Sequence, residues 1–151
     1  MLLFLAAGVQ AAPAIVEGVA YFVSFDSTLR AIDTDNGRVI WSFDTDGRLS
    51  RSPAVRDSVA VFTTVDSHLY AVHTSTGLLL WDFDKAGTVY SRPSITGDVV
   101  YFGSGDHHLY ALVLETGEEL WEFKTDAAVN TPVAHGAMVL FTSGRILYAV
   151  E

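Results

Sequence analysis

The sequence predicts an all-β fold of repeated four-stranded antiparallel units, and three observations predict it. Tryptophans recur at Trp41, Trp81 and Trp121, 40 residues apart both times. Gly37, Gly77 and Gly117 keep the same step, and Pro13, Pro53, Pro93 and Pro132 follow at 40, 40 and 39. Between these markers run short β-branched and aromatic stretches broken by Gly and Asp. That is strand-and-turn punctuation, without the capped 3.6-residue periodicity of helices. Four short antiparallel strands in a 40-residue repeat make one blade of a β-propeller. A lone blade cannot bury both its faces, so blades must stack on one another.

The repeats run over approximately residues 12–51, 52–91, 92–130 and 131–151. Each opens with a strand after its proline: PAIV, PAVR, PSIT, PVAH. A turn follows at Glu17-Gly18, Arg56-Asp57, Gly97-Asp98 and His135-Gly136. The second strand is VAYFVS, VAVFTT, VVYFGS or MVLFTS. A tight turn carrying Asp26, Asp66 or Asp106 leads into LRAID, LYAVH, LYALV or LYAVE. A turn ending in Gly37, Gly77 or Gly117 precedes the Trp strand, and the last repeat stops before its own. The count is therefore three complete blades and one composite or incomplete blade.

Residues 1–11 lie where a Trp strand would precede the first repeat, with Met1 at the Trp position and Val9 aligned with Leu49 and Val89. They read either as an outer strand that completes the last blade or as a signal remnant. A signal peptide wants a positive start, and no Lys or Arg precedes Arg30. Three architectures stay open: a four-bladed monomer closed through a composite blade, a homodimer completing an eight-bladed ring, and a piece of a longer chain.

Composition narrows the function classes. Half of the 151 residues are hydrophobic, enough to offset the entropy of ordering the chain. Eighteen acidic residues against nine basic give a net charge of −9, so a phosphate-neutralising surface is not expected and nucleic acid is excluded as a partner. No apolar run is long enough for a transmembrane segment. The chain has no cysteine, which removes disulfides, thiolate nucleophiles and thiolate metal sites.

One phrase is intact at Ala31-x-Asp33-xxx-Gly37-xxx-Trp41. The second copy has His73 and the third Val113 in place of the Asp, between Ala71 and Trp81 and between Ala111 and Trp121. This is the AxDxxxGxxxW tryptophan-docking pattern, and the chain resembles the pyrroloquinoline-quinone-type (PQQ-like, BamB-like) β-propeller repeat family. The resemblance implies that each Trp wedges between blades with its N–H on a backbone carbonyl, and that each Gly supplies a positive φ. These six residues are read as structural. The family includes non-enzymatic scaffolds of outer-membrane assembly and sensor propellers, so the implied function is protein or ligand binding in a periplasmic or extracytoplasmic setting.

The alternative is a fragment of a PQQ-dependent quinoprotein dehydrogenase. By resemblance those enzymes use an acidic base, calcium ligands from Glu and Asn, a tryptophan platform and often a vicinal disulfide. Here there is no Cys, the only asparagines are Asn36 and Asn130, and every Trp occupies a docking position. No catalytic residue and no resident cofactor are therefore expected, PQQ with calcium belonging only to that alternative.

Binding residues are expected on the loop rim, because loops on a rigid scaffold carry recognition. The turns would contribute Asp66, His68, Asp106, His107 and His108, and the links between blades Arg51, Tyr90 and Arg92. His68 and His108 occupy equivalent positions, yet in different blades, so no metal site is expected. The DTDNG run at 33–37 only hints at a calcium loop. A protein partner or small ligand at the rim is the expected contact.

Overall fold

The computed structural model describes residues 8–9, 11–49, 51–66, 68–84, 87–89 and 91–151. Blade one holds β1 (Ala14–Val16), β2 (Val19–Ser24), β3 (Thr28–Asp33) and β4 (Val39–Asp44). Blade two holds β5 (Ala54–Arg56), β6 (Val59–Thr63), β7 (Leu69–His73) and β8 (Leu79–Phe83). Blade three holds β9 (Ser94–Thr96), β10 (Val99–Gly103), β11 (His108–Val113) and β12 (Glu119–Lys124). Blade four holds β13 (Val133–His135), β14 (Met138–Ser143) and β15 (Ile146–Val150). Among the described residues every sheet is antiparallel in chain order, four-stranded three times and three-stranded in blade four.

Two turns fall one residue later than the sequence suggests. Asp57-Ser58 and Gly136-Ala137 make them, because Arg56 pairs with Val59 and His135 with Met138 as the last ladder pairs. A bulge recurs at one place in each complete blade, between Ala31 and Ile32, Ala71 and Val72, and Ala111 and Leu112. It sets the outer strand's Trp opposite the Ala of the docking pattern and turns the strand away.

Alternation along the strands gives each blade two apolar faces. The front of blade one (Tyr21, Val23, Leu29, Ala31) packs on the back of blade two (Ala60, Phe62, Val72). Val61, Leu69 and Ala71 of blade two then pack on Val100, Phe102 and Leu112 of blade three. Tyr101, Leu109 and Ala111 pack on Val139 and Phe141 of blade four. Each joint carries an aromatic group: Phe62 stacks on Tyr70, Phe102 on Tyr110 and Phe141 on Tyr148, and Phe43, Phe83 and Phe123 of the preceding blade meet them edge-on or tilted. A fully buried Leu at such a joint contributes about 1.5–3 kcal/mol.

The series does not close on itself among the described residues. Leu147 on the front of blade four is 68% exposed, whereas Leu29, Leu69 and Leu109 in the same place are fully buried. Closure of a single chain into four blades is therefore not what the structure shows. Gly8 enters blade one as a link does. Its carbonyl accepts from Phe25 N–H at 3.0 Å, just as Arg48 accepts from Val65 at 2.9 Å and Thr88 from Gly105 at 2.8 Å. The outer-strand reading of the N-terminus falls largely on residues 1–7, outside the described residues.

Candidate functional site

The Trp strands fix the blade joints. Trp41 Nε1 donates to the Thr74 carbonyl at 2.7 Å, and Trp81 Nε1 to the Leu114 carbonyl at 2.9 Å. The indole faces lie on glycine: a Cβ on Gly77 would stand 2.6 Å from Trp41, and one on Gly117 2.6 Å from Trp81. Gly37, Gly77 and Gly117 all have φ near +70°, which L side chains avoid. The turns before Gly37 and Gly77 are held by the side chain at the pattern's Asp. Asp33 Oδ1 accepts from Asp35 N–H at 2.8 Å, and His73 Nδ1 accepts from Ser75 N–H at 3.2 Å. Imidazole thus does the work of carboxylate there.

In blades one and three the turn between the second and third strands uses its acid as a staple. In blade three, Asp106 Oδ2 accepts from Gly87 N–H at 3.1 Å and from the Tyr110 hydroxyl at 2.7 Å, while Oδ1 accepts from His108 N–H at 3.0 Å. Burial opposes the charge on Asp106, but these donors outweigh it and hold the carboxyl below its ordinary range. Burial, then the Asp106 carboxylate, pushes the Tyr110 phenol up. Blade one repeats the staple with a cation. Arg30 stands where Tyr70, Tyr110 and Tyr148 stand in the other blades, and its Nη2 lies 2.7 Å from Asp26 Oδ2. The Arg30 hydrogen bond, with Ser24 and Thr28 adding theirs, holds Asp26 well below the carboxylate range.

The rim residues expected from the sequence separate into two groups. Asp106 and His108 are engaged within their turn, and His108 Nδ1 lies 3.0 Å from the Asp106 carbonyl oxygen. His68 stacks on Tyr70 at 5.6 Å and His108 tilts over Tyr110 at 5.8 Å, so both cap an aromatic ladder. His107, Asp66, Arg51 and Arg92 are exposed. His107 has φ +75° and uses its carbonyl to accept from Thr125 N–H at 2.8 Å. Arg92 lies at a cavity of about 490 Å³ along the inner strands, whose walls include Ile15, Val55, Ile95 and Val133. Tyr90 lies outside the described residues.

Among the described residues, no three His, Cys, Asp or Glu side chains come together to hold a metal ion. Trp41 and Trp81 spend their faces on glycine and their N–H groups on carbonyls. Each of these two indoles is thus committed to a blade joint. Sequence reasoning missed the role of Arg30 and the uncovered front of blade four. The repeat register did carry a signal for Arg30, since an acid stands four residues before each of Arg30, Tyr70 and Tyr110. No helix among the described residues is long and apolar enough to cross a membrane.

Stacked four-stranded blades locked by outer-strand tryptophans define a repeat β-propeller of the PQQ-like class. The family model described as outer membrane protein assembly factor BamB matches residues 4–150, and the chain belongs to that family. BamB from Moraxella catarrhalis is similar at a TM-score of 0.78 and 16% identity, over 89% of this chain and 44% of that one. This chain thus spans less than half the length of that BamB. The computationally designed Ika4 protein matches at a TM-score of 0.87 and 14% identity, over 99% of this chain and 94% of that one. Quinohemoprotein alcohol dehydrogenase ADHIIG from Pseudomonas putida HK5 matches at a TM-score of 0.72 and 28% identity, over 82% of this chain and 21% of that one. No curated protein sequence matches the chain.

Proposed function

We propose that this chain is a non-enzymatic binding scaffold of the BamB type, acting outside the cytoplasm and without a resident cofactor. One observation carries the reading: the chemistry-bearing side chains that the fold brings together hold turns. Asp106 is bound by Gly87, His108 and Tyr110, and Asp26 by Arg30. What remains on the rim is His107, Asp66, Arg51 and Arg92, exposed and drawn from different repeats. Among the described residues such a surface offers contacts to a partner and no reacting constellation. The family's description as an outer membrane protein assembly factor supports a protein as that partner.

A second reading, a piece of a quinoprotein dehydrogenase, draws on the 28% identity with ADHIIG. The two separate in one experiment. The purified chain is titrated with pyrroloquinoline quinone and calcium, then assayed for a bound chromophore and for alcohol-dependent dye reduction. The scaffold reading expects neither, and dye reduction overturns it.

A further inference from the structure

Among the described residues, each end of the blade series leaves part of an apolar face exposed, in complementary places. At the last blade, Val133, Met138, Leu140 and Leu147 share the front face, where register pairs Val133 with Leu140 and His135 with Met138. Leu140 is 40% exposed, while its counterparts Tyr21, Val61 and Tyr101 are buried. At the first blade, the paired residues Ile15 and Ala20 share the inner part of the back face. Ile15 is 64% exposed and Ala20 half-buried, whereas in blade two Val55 packs into the joint and Ala60 is fully buried. Phe22 and Ile32, on the same back face, are already buried.

Each internal joint sets a front like that of blade four on a back like that of blade one. The occupant of blade four's front is therefore the back of a PQQ-like blade, and this chain has one with its inner half uncovered. Gly8 enters blade one in the way that Arg48 and Thr88 enter blades two and three. A second copy supplies a back to blade four's front and a front to blade one's back in one operation.

We infer that two copies of this chain join head to tail, each blade four front seating on the Ile15–Ala20 back of the other's blade one, to close a ring of eight blades. Two such joints related by a two-fold axis leave no free front. The pairing goes beyond the scaffold reading and does not depend on it, because dye reduction can decide the latter whatever the molar mass.

The test is the solution mass of the full chain by light scattering and sedimentation, over a concentration series, with circular dichroism on each sample. The wild type is expected at two-chain mass. Leu147→Arg and Ile15→Arg are each expected at one-chain mass with an unchanged β spectrum, since both side chains are largely exposed in the single chain. Mixing the two variants restores a two-chain species, because one of its two joints is then wild type on both sides. A wild type at one-chain mass throughout overturns the inference. So does a two-chain mass that survives both substitutions, or one that grows beyond two chains with concentration.

Discussion

Leu109 and Leu147 occupy the same place in consecutive blades, on the same strand of the same repeat phrase. One is fully buried, and the other is 68% exposed. Leu109 is flanked by β12, where Phe123 pairs with it, and its front faces the back of blade four, whereas β15 has neither a fourth strand beside it nor a back face over it among the described residues. That dependence on the next element is the nearest-neighbour character of repeat architectures. Burial in this molecule is thus a property of joints, and the same residue type carries different energetic weight at a closed joint and at an open end.

The comparison breaks most sharply with paired truncations. Leu109→Ala removes a side chain from the closed joint between blades three and four and is expected to cost about 2–5 kcal/mol in chemical denaturation. Leu147→Ala, measured in dilution that keeps chains apart, is expected to stay within about 0.5 kcal/mol. Equal losses would show that the front of blade four is covered in the single chain.

Glycines sharpen the same contrast. Gly117 has φ +71° and the Trp81 indole against it, whereas Gly97 has φ +57° and nothing within 4 Å of where a Cβ would lie. Gly117→Ala therefore meets an overpacked joint as well as a left-handed backbone, at about 2–4 kcal/mol. Gly97→Ala meets the backbone alone, at about 1 kcal/mol. Tryptophan fluorescence should shift with the first and stay with the second.

The smallest expected effect concerns the turn staple. Asp106→Asn keeps the shape and removes the charge, and is expected to cost about 1.5 kcal/mol at neutral pH. Because the folded-state carboxyl of Asp106 lies below its ordinary value, its contribution is present above the unfolded range near about 4 and is lost as pH falls through the folded value. The wild type and the Asn variant should therefore converge in stability as the pH is lowered. A gap that persists into acid would assign the loss to shape rather than charge.

Much of the architecture was legible because the repeat reports it several times over. Trp41, Trp81 and Trp121 set the period, and His73 could be read as a turn-holder only by alignment with Asp33. The rim was less legible. Asp106 is bound by Gly87, nineteen residues away, across a joint that local pattern does not reveal. The uncovered front of blade four was illegible for a deeper reason. Its phrase VLFTS…LYAV is that of a buried face, and what distinguishes it is the absence of a fourth strand and of a covering neighbour among the described residues.

The front of blade four also has a consequence for synthesis. During translation each blade is completed before its successor emerges, so every front in turn spends an interval in the condition that Leu147 retains. The growing chain carries one sticky end that moves forward blade by blade, as a zipper's slider does. A pause after any completed blade prolongs exposure of that surface and invites association with another nascent chain. Pauses placed within a blade, before its second and third strands have paired, would expose no such finished template.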